Sequence, residues 1–215
     1  SVVDMYGVFS TTPFDGDLSS WDVSNVEDMG YVFELCDSFN QDVGAWDVSK
    51  VENMKRMFQF ATAFNRDLDD WDTSSVTDMQ GMFDGAAVFN GAVGAWDVGK
   101  VEKTKSMFDG AALFDGDLSD WNVSSVTNMY AVFYKATAFN GDLGDWDVSK
   151  VTDMEAMFYW TPAFNGDVST WDVSKVEWMG LMFDGATAFN GDLSDWDVAS
   201  VRTIQMMFHE ATAFN

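Results

Sequence analysis

Cysteine, histidine, proline and basic charge are all scarce in this 215-residue chain, and each scarcity excludes something. Cys36 is the one cysteine, so neither a disulfide framework nor a Cys/His zinc cluster can form. It stands where other repeats carry Ala61, Ala86 or Ala111 and reads as a small buried residue, not a nucleophile. His209, the one histidine, reads as a solvated surface group. The two prolines, Pro13 and Pro162, precede equivalent phenylalanines, Phe14 and Phe164, and mark loops and not a domain boundary. Eleven Lys and Arg face 36 Asp and Glu, a formal charge of −25. Such a field repels nucleic-acid backbones and anionic membranes, and favours cations and basic partners. No apolar run is long enough to insert in a membrane as a helix, and no signal peptide is recognisable. High acidity often goes with disorder, but 47% hydrophobic and 16% aromatic content argues against it here.

What is abundant is periodic. Tryptophan recurs every 25 residues at Trp21, Trp46, Trp71, Trp96, Trp121, Trp146, Trp171 and Trp196, inside one phrase, F-N-x-D-L-S-x-W-D-V-S-x-V-x-x-M-x-x-M-F-x-x-A-x-A. A fixed period of this size signals a solenoid, whose repeats bury their apolar faces only by stacking. With no linker or composition shift, residues 1–215 read as one continuous repeat solenoid, excised from a longer array.

Within a repeat, Val43, Trp46 and Val48 follow the spacing that opens a leucine-rich repeat, and the tail alternates as a short strand. Val51, Met54, Met57, Phe58 and Ala61 lie on a helical stripe. Ser49 with Glu52 has the capping-box spacing, as do Ser24 with Glu27 and Ser174 with Glu177. Gly85, Gly110 and Gly185 stand where a helix terminator is expected. The expectation is an α/β solenoid: a right-handed, leucine-rich-repeat-like stack of strand and short helix with one parallel sheet face. Phenylalanine and Trp columns form aromatic ladders in its core, with Met filling the gaps. The first repeat is one residue short between Phe9 and Phe14, which predicts a distorted first helix. Aromatic residues exposed at the two ends would permit end-to-end self-association.

Polar columns repeat as well. Asn40, Asn65, Asn90, Asn140, Asn165, Asn190 and Asn215, with Asp15 and Asp115 as variants, read as turn residues that hydrogen-bond the backbone of adjacent coils. Two residues on lie Asp17, Asp42, Asp67, Asp117, Asp142, Asp167 and Asp192, interrupted by Ala92. After each Trp lie Asp22, Asp47, Asp72, Asp97, Asp147, Asp172 and Asp197, interrupted by Asn122 and placed on the outward face of the expected sheet. This column is the candidate binding surface. Stacked like charges need compensation: hydrogen bonds from backbone or the repeated Ser, raised pKa values, or bridging cations. Asp42 with Asp47, Asp67 with Asp72, Asp142 with Asp147 and Asp167 with Asp172 could frame calcium sites, although no EF-hand or nonapeptide calcium motif occurs. Local hydrogen bonding and calcium binding both stay open. Lys50, Lys100, Lys150 and Lys175 share one position and are too few for a nucleic-acid stripe. Asn122-Val123-Ser124 is a formal glycosylation sequon that reads as incidental.

The phrases FNQDVGAWDVSKVENMKRMF, FNGDLGDWDVSKVTDMEAMF and FNGDLSDWDVASVRTIQMMF resemble the BspA-like bacterial surface-protein repeat, also found in mycoplasma lipoproteins. That resemblance implies a surface or secreted location and adhesion to an extracellular protein or glycan, with no family catalytic residues. A calcium-responsive rod is the alternative. Catalysis is not expected, because identical rungs cannot give paired carboxylates the distinct environments that acid–base work demands.

Overall fold

The computed structural model describes residues 2–215. Its unit is a 25-residue coil, and the core is one continuous apolar cluster running from Met5 to Met207. Among the described residues there is neither a helix nor an extended strand. The regular backbone pairing is a row of isolated parallel bridges, Asp28↔Asn53, Asn53↔Asp78, Asp78↔Lys103 and onward to Thr203. The expected stack of strand plus short helix with a parallel sheet is therefore corrected: most of each coil is tight turns and loops.

The bridges fall inside the segment that reads as a helix, and the backbone there is fully accounted for. In residues 51–61, Met54, Arg56, Phe58 and Phe60 donate their N–H groups to Asp78, Gln80, Met82 and Asp84 of the next coil. Met57, Gln59 and Ala61 donate to Met54, Arg56 and Phe58 in their own turns. Lys55 donates to the Asn53 side chain at 3.0 Å. Alternation of this kind needs a chain that reverses every few residues, and it is reached by left-handed residues at two fixed positions. Arg56 and Phe60 have φ of 53° and 54°, and Tyr31, Leu35, Gly81, Gly85, Ser106, Gly110 and their equivalents match them. Each is the third residue of a four-residue turn, where a type II turn requires positive φ. The expected helix terminators Gly85, Gly110 and Gly185 are thus turn glycines.

A physical conflict explains why the helical stripe does not fold as a helix. Phe33, Phe58, Phe83, Phe108, Phe133, Phe158, Phe183 and Phe208 stack coil to coil with ring centroids 5.4–5.8 Å apart. Packed helices sit about 8–10 Å apart. Helices stacked at that distance would pull this column out of ring contact. Flat turns keep every coil close to its neighbour and satisfy the same backbone groups.

The segment at Trp46–Asp47–Val48 is not a strand either. Asp47 accepts the Ser49 N–H and hydroxyl at 3.1 and 2.6 Å, and the chain turns again between Val48 and Val51. That same Ser49 hydroxyl is not free to cap a helix. Glu52 donates its N–H to Glu27 of the preceding coil, so the capping box does not form. The first coil keeps the turns over residues 5–12, where Val8, Ser10 and Thr12 donate to Met5, Gly7 and Phe9, but it is one residue short after Phe9 and has no counterpart of the Cys36–Phe39 turn before Phe14, in place of the distorted helix expected there.

Candidate interaction surface

Each predicted column is a consequence of the coil's turns. Tryptophan is the inward anchor. Trp46, Trp71, Trp96, Trp121, Trp146, Trp171 and Trp196 are buried, and each indole N–H donates to a Leu or Val carbonyl of the preceding coil at 2.8–3.1 Å. That carbonyl also accepts the backbone N–H of the Trp in its own coil, as Val43 does from Trp46 and from Trp71, so its two lone pairs lock two coils together. Trp21 is 43% exposed.

The asparagine column works as the sequence suggests. Asn65 donates its N–H to Asn40 Oδ1, Asn90 to Asn65, Asp115 to Asn90 and Asn140 to Asp115, at 2.8–3.0 Å. The ladder reaches Asn215, whose N–H donates to Asn190 Oδ1.

Of the two aspartate columns, Asp22, Asp47, Asp72, Asp97, Asp147, Asp172 and Asp197 are all exposed. Each accepts the N–H two residues on, from Ser24, Ser49, Ser74, Gly99, Ser149, Ser174 and Ala199. Asn122 does the same for Ser124. Asp42 and Asp142 cap Gly44 and Gly144, and Asp167 caps Ser169. Where Ala92 breaks the column, Asp67 turns instead to the Ala92 N–H of the next coil. Apart from that bond between coils, these are the closing bonds of Asx turns. Hydroxyl and N–H of the following serine hold Asp22, Asp47, Asp72, Asp147 and Asp172 below the usual carboxylate range. The same serine donors lower Asp17, Asp117, Asp167 and Asp192. Repulsion along the columns is thus met by local hydrogen bonds, and for these nine the pKa falls where crowding alone would raise it. Among the described residues, no group of three or more His, Cys, Asp or Glu side chains converges as a metal site, so the paired aspartates are not brought together into a cage.

A third column escaped the sequence reading. Asp4, Asp28, Asn53, Asp78, Asn128 and Asp153, the bridge residues themselves, cap the N–H two residues on at 2.8–3.0 Å. The spacing of Asp28 from Gly30 resembles that of Asp22 from Ser24, and an assumed helix obscured it.

Also unread in the sequence is the face made by the turns at residues 53–60 and their equivalents. All five tyrosines lie on it, Tyr6, Tyr31, Tyr130, Tyr134 and Tyr159, together with both tryptophans outside the 25-residue series, Trp160 and Trp178. Phe60, Trp160 and Trp178 are 43%, 46% and 41% exposed. Basic residues accompany them: the Arg56 guanidinium lies 5.7 Å from the Tyr31 ring, Lys105 4.5 Å from Tyr130 and Lys135 5.0 Å from Tyr134. Beside the rings runs a polar column that includes Gln59, Asp84, Asp109, Asp184 and His209. Gln59 donates to Asp84, and His209, exposed at the surface as expected, also pairs with the buried Asp184 at 2.9 Å. Burial first, and then the Asp84 charge, push Asp109 up to about 7.

Cys36 is fully buried, as expected, and its thiol donates to the Phe9 carbonyl. Asn122 of the sequon is exposed.

The sequence matches the family described as "Mycoplasma protein of unknown function, DUF285" three times, over residues 1–92, 65–159 and 141–215. These matches span the chain, which therefore belongs to that family. No curated protein matches it. Among solved structures, one chain of "Crystal structure of TLR13-ssRNA13 complex" aligns with 80% of this chain at 10% identity and a TM-score of 0.31. Only 27% of that chain is covered.

Proposed function

We propose that the chain is a non-enzymatic repeat scaffold, displayed on a cell surface or secreted, that binds an extracellular protein or glycan. Supporting it is the observation that residues the coil does not need are segregated onto one face. Tyrosines, the two extra tryptophans and the ring-stacked cations gather on the turn face, while the aspartate columns are engaged in closing turns. Exposed aromatics on a rigid support are the usual anchors of recognition. The resemblance to BspA-like repeats supports the surface location and the adhesion role. A repeated set of identically hydrogen-bonded carboxylates favours a scaffold over an enzyme.

The aromatic face, and not the Asp22–Asp197 column, is the proposed binding surface. Purified chain should bind immobilised matrix proteins or cell-surface glycans. Tyr159→Ala with Trp160→Ala should weaken that binding at least tenfold, whereas Asp147→Asn should leave it within about twofold. If the wild-type chain binds neither class at any ionic strength, the scaffold reading is wrong.

A further inference from the structure

The turn face contains a groove of about 350 Å³ between Glu155, Trp178, Leu181 and Met206, lined also by Gly180. We propose that this groove captures an arginine or lysine side chain from an exposed basic segment of a partner protein. The inference rests on the scaffold reading and deepens it by naming the partner's chemistry.

The chain's own cations supply the template. Arg56 lies over Tyr31, and Lys105 over Tyr130, each pair built from one position on neighbouring coils. Among the described residues no cation lies over Trp178, whose column neighbours are Asp153 and Thr203. Its indole is 41% exposed, and indole is the ring that holds a cation best. The Glu155 carboxylate takes part in none of the ion pairs among the described residues. A side chain at 180 would put its first carbon 3.8 Å from Glu155 Cγ and 3.6 Å from the Gln205 carbonyl, so glycine keeps open the space beside the carboxylate. Leu181 and Met206 line the groove with apolar surface, which suits the methylene stem behind a charged head. Ring, carboxylate and apolar wall make up the receiving half of a pair whose cation must come from outside. A chain of formal charge −25 draws basic partners to it.

The test is calorimetric titration of the whole chain with N-acetylated hexa-arginine amide at about 0.15 M salt, where long-range attraction is largely screened. Trp178→Ala and Glu155→Gln should each weaken binding about tenfold, Trp178→Phe should fall between, and Asp47→Asn should change it less than twofold. Thermal melts of each variant establish that it is folded. Equal affinity of wild type and Trp178→Ala would overturn the proposal, because binding would then be general attraction to acidic surface. Binding of neutral maltohexaose in this groove without binding of hexa-arginine would overturn it as well. Matrix binding that survives loss of hexa-arginine discrimination sinks the groove alone. The reverse result sinks the scaffold reading and leaves the groove.

Discussion

Two residues set the chemistry of this coil at the smallest scale, Trp96 and Asp109. The Trp96 indole joins two coils through its N–H to the Leu68 carbonyl at 2.8 Å while its ring stacks on Trp71 and Trp121. Trp96→Phe keeps an aromatic ring but loses the donor and part of the volume, which should cost about 1–3 kcal/mol. A denaturant midpoint unchanged from wild type would show the indole N–H and the lost volume to be dispensable. Asp109 acts in the opposite sense. Its folded pKa of about 7 lies above the unfolded value, so its contribution to stability is full below about pH 4 and is lost as pH rises toward 7. The full shift corresponds to about 4 kcal/mol, and screening of a part-exposed carboxyl brings the expected gain from Asp109→Asn at neutral pH down to about 1–2 kcal/mol. Melting temperatures of the two proteins should converge near pH 4. Persistence of the gap there would refute the linkage. The inward role of Trp was legible from its period, but the Asp109 environment was not. Its burial depends on which side of the coil the turns present.

At the scale of the turn, the two left-handed positions are occupied unevenly. Ser106 stands at φ 55° where Gly81 takes the equivalent place at 62°. A non-glycine residue in this region carries roughly 1–2 kcal/mol of steric cost. Ser106→Gly should therefore stabilise the chain by about 0.5–1 kcal/mol, after allowing for the entropy that glycine adds to the unfolded chain. Gly110→Ala, at φ 67°, should destabilise it by a similar amount. Equal midpoints for both variants would contradict the turn assignment. Apolar spacing misleads about this segment. Val51, Met54, Met57, Phe58 and Ala61 are all buried, as a helical stripe predicts. The same positions are equally buried by a chain of turns, so apolar spacing identified the inward residues and left the backbone path undetermined.

Over the whole molecule, opposing pH effects combine. Ten aspartates with lowered pKa, the nine of the two columns and Asp15, contribute stability above about pH 4 and lose it as pH falls through their folded values, while Asp84 and Asp109, raised by burial, weaken the fold as pH rises above about 4. His209, raised chiefly by its hydrogen bond to Asp184, adds stability at acid pH that is lost as pH rises through its folded pKa. Maximum thermal stability is expected near pH 4–5 and not at neutrality. Calcium at about 1 mM against chelator should move the melting midpoint by less than about 2 °C, because the carboxylates are engaged singly in turns and do not converge. A rise of several degrees would revive the calcium rod.

By itself the sequence determined the period, the inward columns, the asparagine ladder and the acidity, because these follow from residue type recurring at one interval. Only the tertiary structure decided that turns replace both strand and helix, since that choice turns on the distance between coils. It also decided that the two aspartate columns read from the sequence close loops, while the tyrosines, the two extra tryptophans and the cations stacked on rings share another face. An Asp every 25 residues looks the same in sequence whether it faces a partner or its own backbone, and only the turn around it settles which.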